Sequence, residues 1–478
     1  MAKAVVIGLG KSGNAAAKLL KSQAWDVTLS DRSTSPLLKP QAAELEADGI
    51  TVVLGDNFDP ETSNPELIVV SPGVPWDVAS LVKARSLGIV TIGEMELAWR
   101  NLMNIPWIAI TGTNGKTTTT ALTAAIFATA GYHAPAFGNI GYAACEVALQ
   151  DQALKNKAPQ NQGQPIDFAI AELSSYQIES APTLAPQIGI WTTFTPDHLA
   201  RHKTMTNYFE MKARLLARSH LQIFNGDDPA LQKIGISQAF PIRSNACWTS
   251  VLGKDHLIGD PALGIWIEDE NILFQGEIVM PANLLKMPGK HNLQNLLMAV
   301  AAAKISGISN ENIAKAIANF GGVEHRLEYI LTWAGIDFIN DSKATNYDAA
   351  VVGLNSMKTP TILIAGGEPK EGDDREWLEI IKAKTAAVLL IGVAAKHFAA
   401  RLDSIGYTQY EIAETMENAV RRSGQLAQQL RQEAGTLQVL LSPACASFDQ
   451  YRSFEHRGDD FRHWCEYWSK EWGELELG

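Results

Sequence analysis

The chain has 478 residues, 46% of them hydrophobic and 19% charged, with a net charge of −12. That length predicts about three domains in place of one core, and the acidic balance argues against a partner gripped through nucleic-acid phosphates. Its four cysteines, Cys145, Cys247, Cys445 and Cys465, are scattered without metal-ligand spacing and read as reduced thiols of a cytoplasmic protein, and no apolar run reaches the roughly 18 residues that membrane insertion requires.

The N-terminus reads as a first strand, Ala4 to Ile7, and not as a signal peptide. A helix from Asn14 to Gln23 follows, then strands at Val27 to Leu29, Thr51 to Leu54 and Leu67 to Val70. Short apolar strands alternating with helical stretches predict a parallel sheet with crossover helices. The first turn, Gly8-Leu9-Gly10-Lys11-Ser12-Gly13, is a complete G-x-G-x-x-G, and Asp31 follows the second strand. This is the pattern of a dinucleotide site, but the same glycines can serve only to bring helix and strand close.

A second block begins near Pro106. The strand Ile108-Ala109-Ile110 runs into Thr111-Gly112-Thr113-Asn114-Gly115-Lys116-Thr117-Thr118, and a helix continues to about Ala130. A glycine-rich turn opening a helix can direct backbone N–H groups at phosphates, with the lysine on the terminal phosphates and a hydroxyl on Mg²⁺. The first glycine of a full phosphate-loop motif is replaced by Ile110. Residues Asp151 to Pro165 are polar and read as an exposed loop. Strands at Phe168 to Ala171 and Ile188 to Trp191 then deliver Glu172 and His198 to strand ends. There a carboxylate and an imidazole can ligate Mg²⁺, although a salt-bridged glutamate and a satisfied polar histidine are the plainer readings of each alone. A helix from Asn292 to Ser306 closes the block.

The third block starts near Gly321 and contains the segments Phe338 to Lys343 and Thr361 to Gly367, with later strands at Ala387 to Ile391 and Val439 to Leu441. The expected architecture is α/β in three domains: a Rossmann-like domain over 1–97, a central P-loop-type ATPase sheet over 98–320 and a second Rossmann-like domain over 321–478.

Taken together, Gly112 to Thr118, Glu172-Leu173-Ser174-Ser175-Tyr176-Gln177, His291-Asn292-Leu293-Gln294-Asn295 and Glu324-His325-Arg326 resemble the successive boxes of the Mur ligases. Those are ATP-dependent amino-acid ligases of cell-wall precursor synthesis. Leu441-Ser442-Pro443-Ala444-Cys445-Ala446-Ser447-Phe448-Asp449-Gln450 resembles the branch that adds D-glutamate, and the Asp-Asn-Pro-Arg box of the branch that adds diaminopimelate or lysine is missing.

The resemblance implies roles that spacing does not. Gly112, Thr113, Asn114, Gly115, Lys116, Thr117 and Thr118 would hold the phosphates of ATP, with Asn292, Asn295, Arg326 and Asp341 also near the nucleotide. Thr117, Glu172, His198 and Lys212 would ligate two Mg²⁺ ions, Lys212 as a carbamate; read without the family, Lys212 is a solvated helix lysine. Lys116, His198 and Lys212 would be catalytic. Ser12, Asp31, Arg32 and Gly73 would contact the UDP moiety of UDP-N-acetylmuramoyl-L-alanine, so the first glycine turn would hold a uridine nucleotide sugar and no NAD. Asn139, Ser174 and Gln177 would lie on the acceptor arm, Lys343, Thr345 and Lys370 near ATP or the amino acid, and Ser447, Phe448 and Phe454 would line the D-glutamate site. Ala200 and Pro369 stand where the family often has acidic residues. The implied protein is a cytoplasmic monomer acting on small molecules through an acyl phosphate. Other readings are a folylpolyglutamate synthetase-like ligase, an NAD-dependent oxidoreductase built on Gly8 to Gly13, and a nucleotide switch.

Overall fold

The computed structural model describes residues 2–55, 57–156, 165–197, 199–237, 240–287, 289–357, 360–369, 372–434 and 437–476. They form two compact units, one of Met1–Leu285 with Asn292–Phe320 and one of Lys286–His291 with Gly321–Gly478. The architecture is α/β, with three sheets among the described residues.

The first unit holds two of the sheets. Strands β1 (Lys3–Ile7), β2 (Asp26–Asp31), β3 (Thr51–Leu54), β4 (Leu67–Val70) and β5 (Val90–Gly93) pair in the order β3-β2-β1-β4-β5. Every pairing in it is parallel. The apolar runs of β1 and β4 are buried, as a sheet covered on both faces requires. Strand order reverses between β1 and β4, and that switch point opens a crevice beyond their carboxyl ends. The helix Lys11–Ser22 leaves this crevice, packed so closely that a Cβ on Gly13 would stand 1.9 Å from Gly8 O. Glycine is therefore required there for packing alone.

The second sheet comprises β6 (Trp107–Thr111), β7 (Ala136–Gly138), β8 (Ala169–Glu172), β9 (Ile188–Trp191), β10 (Leu221–Asn225), β11 (Cys247–Ser250), β12 (Ile265–Glu268), β13 (Asn271–Phe274) and β14 (Glu277–Pro281). Their order is β14-β13-β12-β11-β10-β9-β6-β8-β7. The run from β7 to β12 is parallel, while β12, β13 and β14 form an antiparallel meander that extends the sheet.

Residues 151–156 are the end of the helix Ala144–Asn156 and not loop. Asp151 is buried and pairs with Lys155 at 2.6 Å, an i,i+4 contact that a helix creates and a loop does not. The rest of that polar stretch, 157–164, lies outside the described residues.

The second unit holds β15 (Glu328–Trp333), β16 (Ile336–Asn340), β17 (Thr361–Gly366), β18 (Thr385–Ile391), β19 (Tyr410–Glu414) and β20 (Gln438–Leu441). They pair in the order β15-β16-β20-β17-β18-β19, with only β15 and β16 antiparallel. Trp377 and Phe398 fill one face of this sheet, and Phe338 and Phe461 the other. All four cysteines are free and buried. No described helix is long and apolar enough to cross a membrane.

Glu94 joins two helices of the first unit. It is 1% exposed, opens the helix Glu94–Leu102, and accepts the Cys145 N–H at 2.6 Å from the start of the neighbouring helix. Burial raises its pKa from 4.5 to about 7, even though the Cys145 hydrogen bond acts in the opposite direction. A raised carboxylate pKa contributes stability in full below the ordinary value of 4.5 and loses it as pH rises through about 7. Glu94→Gln, which stays neutral, should therefore gain melting temperature relative to wild type as the buffer is moved from about pH 5 to about pH 8. A melting difference that does not change with pH would mean that Glu94 does not titrate as its burial requires.

Candidate active site

The phosphate loop lies where β6, flanked by β8 and β9, runs into the helix Lys116–Thr129. The loop is held by the threonines that follow β9. Thr113 N–H donates to Thr193 O at 2.9 Å and Asn114 N–H to Thr193 Oγ1 at 2.8 Å. Thr113 Oγ1 accepts Thr195 N–H at 3.1 Å and donates to Thr195 O at 3.0 Å. Gly112 sits at φ 152°, and a Cβ there would meet Thr192 Oγ1 at 1.9 Å. The first intrahelical bond, Thr119 N–H to Gly115 O at 2.9 Å, fixes the helix end whose N–H groups face outward. Lys116 Nζ donates to Gly112 O and Thr113 O, both at 2.8 Å. Thr117 and Thr118 are buried just behind the turn.

Lys212 is the largest departure from a plain reading of the sequence. On the helix Met205–Arg218 it is 1% exposed, and it donates to Gly112 O at 2.7 Å with its ammonium 4.6 Å from the centre of the Tyr208 ring. Burial, and next the nearby charge of Lys116, drive its pKa well below the usual 10.5. A solvated helix lysine would do neither. Asn295 Oδ1 accepts the Thr119 hydroxyl at 3.3 Å, which brings this asparagine to the loop helix, and Asn292 is buried one turn earlier.

Glu172 ends β8 beside Ile110 of β6, fully buried, and accepts the Asn139 amide at 2.8 Å. The described residues contain no group of three or more His, Cys, Asp or Glu side chains able to hold a metal. Mg²⁺ bound mainly through phosphates and water needs no such group, and a hydroxyl from Thr117 with a carboxylate from Glu172 is a suitable hard-oxygen donor set. His198 lies outside the described residues.

The crevice of the first sheet is a cavity of about 390 Å³ lined by Gly8, Asp31, Arg32, Gly73 and Val74 among others. Asp31 accepts the Leu9 N–H at 2.7 Å and the Ser33 N–H at 2.8 Å, so its carboxylate shapes the glycine turn. Ser12 belongs to the helix that starts at the turn and is not part of the cavity lining. Ser174 and Gln177 form a reciprocal cap on the helix Ser175–Glu179, with Ser174 N–H to Gln177 Oε1 at 2.9 Å.

In the second unit, Asp341 is buried at the end of β16 and accepts the Ser442 hydroxyl at 2.9 Å. Burial raises its pKa to about 7, while this hydrogen bond and the charge of Arg326 oppose the rise. Lys343 Nζ stands 4.9 Å from the Phe454 ring centre. Thr345 lies in the same turn, its N–H donating to Lys343 O at 2.9 Å. Ser447 is buried, whereas Phe448 is 70% exposed. Lys370 lies outside the described residues.

Two elements of the site carry little local sequence signal, the pair Thr192 and Thr193 that bonds to the loop, and Arg457; Thr195 instead opens the polar stretch that the sequence places at the end of β9. Arg457, fully buried, donates to Ser342 O at 2.7 Å, Cys445 O at 3.1 Å and Ala446 O at 3.1 Å. It thereby joins the turns that carry Lys343 and Ser447. Only its apolar helical neighbours, Phe454 and Phe461, hint at its burial.

Comparison with known proteins agrees with this geometry. Residues 110–303 match the Mur ligase middle domain family, and residues 2–93 match the Mur ligase MurD-like N-terminal domain family. The chain belongs to the Mur ligase family. Proteins of Gloeothece citriformis and Trichormus variabilis, 60% and 61% identical over 97% of this chain and 99% of their own, are each named UDP-N-acetylmuramoylalanine–D-glutamate ligase. The crystal structure of UDP-N-acetylmuramate-alanine ligase MurC from Thermotoga maritima shares the fold, with a TM-score of 0.57, 18% identity and coverage of 98% of this chain and all of that one.

Because Thr192 occupies the space beside Gly112, Gly112→Ala should distort the loop and eliminate ADP binding by calorimetry while circular dichroism stays native. Wild-type affinity in that variant would show that the loop's shape does not matter for the nucleotide.

Proposed function

We propose that the protein is an ATP-dependent ligase that joins D-glutamate to UDP-N-acetylmuramoyl-L-alanine, acting as a cytoplasmic monomer in peptidoglycan precursor synthesis. The observation that carries this reading is the glycine-rich phosphate loop with Lys116 at its helix start and buried Lys212 bonded to its backbone, in a chain 60% identical to relatives named for that reaction. We assign three functional segments: 1–97 to the UDP-linked substrate, 98–320 to ATP and 321–478 to the amino acid.

A carboxylate is a poor electrophile, so its condensation with an amine must be driven. Transfer of the γ-phosphoryl group of ATP to the L-alanyl carboxylate gives an acyl phosphate and ADP. The amine of D-glutamate attacks the carbonyl carbon; the tetrahedral oxyanion collapses, expels phosphate and loses a proton to give the amide. Lys116 is suited to offset charge on the transferred phosphoryl group, and Arg326 and Asp341 are assigned to ATP contacts in the second unit. Thr117, Glu172, His198 and a carbamate on Lys212 would hold Mg²⁺, which when bound supplies further positive charge to the phosphates. The depressed pKa of Lys212 supports the carbamate, because only the neutral amine adds to CO₂. Asp31, Arg32 and Gly73 line a cavity suited to the UDP moiety, with Ser12 at its turn and Asn139, Ser174 and Gln177 along the acceptor arm. Thr345, Lys370, Ser447, Phe448 and Phe454 are assigned to D-glutamate. A site built to pair two carboxylates rejects D-glutamine, which leaves donors unmatched.

The test is phosphate release from ATP. It should require both UDP-N-acetylmuramoyl-L-alanine and D-glutamate, and L-glutamate or D-glutamine should not substitute. Lys116→Ala should lower turnover by roughly 10²- to 10³-fold or more without unfolding the protein. Release of phosphate with a folate acceptor and L-glutamate instead would keep the family and overturn the substrate. Lys212→Ala should lose most activity and recover part of it in acetate, which can occupy the carbamate's position. Full activity in Lys212→Arg would refute the carbamate.

A further inference from the structure

We propose that His202 is a positioning residue that couples the acceptor-arm turn to the phosphate loop, so that ATP and the UDP-linked substrate bind with mutual dependence; this rests on the functional reading above. Ser175 Oγ and His202 Nε2 are 2.8 Å apart, and both side chains are buried. Ser175 opens the short helix capped by Ser174 and Gln177, so the histidine grips the turn assigned to the acceptor arm. On its other side the imidazole lies against Tyr208, with ring centres 5.2 Å apart and planes 31° from parallel. The Tyr208 hydroxyl is 3.3 Å from Thr113 Oγ1 in the phosphate loop, and its ring faces the Lys212 ammonium. Tyr176, beside Ser175, also stacks with the imidazole, their ring centres 5.5 Å apart.

The backbone holds His202 in this place. Lys203, which follows it, sits at φ 67°, a conformation unfavourable for a residue with a side chain and kept only where surrounding bonds impose it. Those bonds are on His202 O, which accepts Thr204 N–H at 2.8 Å and Asn207 Nδ2 at 2.9 Å. A histidine needed only to fill the core would require one ring partner of any kind. This one has a hydroxyl from the acceptor side and a ring that leads, through one tyrosine, to the loop threonine. Displacement of either turn is therefore felt by the other.

The experiment compares wild type with His202→Phe, which keeps a ring but loses the hydrogen bond, Ser175→Ala, which removes the same bond with less disturbance, and His202→Gln, whose amide can restore it. Calorimetry measures the Kd of UDP-N-acetylmuramoyl-L-alanine with and without saturating β,γ-imido-ATP. In wild type the analogue should change that Kd by roughly fivefold or more, and coupling should vanish in His202→Phe and Ser175→Ala and partly return in His202→Gln. In turnover, kcat should fall by roughly 10- to 100-fold in the two uncoupled variants, with KM for D-glutamate unmoved. The double variant should be no worse than either single one. Absence of coupling in wild type, or coupling that survives in the folded variants, would overturn the proposal. A wild type that binds both ligands cooperatively yet releases no phosphate would instead remove the ligase reading and leave the relay standing.

Discussion

The phosphate loop must hold backbone donors in an open arrangement that no regular element stabilises, and the threonines after β9 meet that requirement. Thr193 and Thr195 satisfy the polar groups of Thr113 and Asn114 from outside the loop. The turn is thus shaped by the protein's own groups, which is the preorganisation that electrostatic catalysis depends on. The constraint extends outward. β9 is beside β6 because residues 108–111 pair with 188–191 in parallel register, so a slip of that register would detach the threonines from the loop. Lys212 then completes the cradle from the far side through Gly112 O.

Much of this was legible in the sequence, for an identifiable reason. Buried parallel strands are continuous apolar runs, and β3, β4 and β9 have the bounds that their runs predict. The glycine-lysine-threonine turn was legible because its chemistry is local. What was not legible depends on partners far along the chain. Residues 151–156 look like loop by composition, but their helix packs on Lys11–Ser22 and Glu94–Leu102. The meander β12 to β14 has mixed exposure and gives no strong period. Lys212 carries no local sign of burial, since burial is created by the loop it touches. Arg457 is similar, because its carbonyl partners lie 11 to 115 residues away.

In the first glycine turn, construction and recognition separate in physical terms. At Gly13 the demand is steric, from Gly8 O, and would exist without any ligand. The Asp31 carboxylate, which a sequence motif assigns to a ribose, is engaged with Leu9 and Ser33 N–H groups. The motif therefore describes how the turn is built and leaves the identity of the nucleotide to the cavity around Arg32 and Gly73.

The place of β20 has a consequence in time. It is the last strand in sequence among the described residues, yet it lies inside its sheet, between β16 and β17. Until residues 438–441 leave the ribosome, both neighbours present open edges rich in Ile, Leu and Phe. Long-range pairing of this kind is slow, and unpaired apolar edges are sites of intermolecular association. The sheet of the second unit therefore closes only after residues 438–441 have been made, and its inner edges stay open while the segment between β17 and β20 is synthesised.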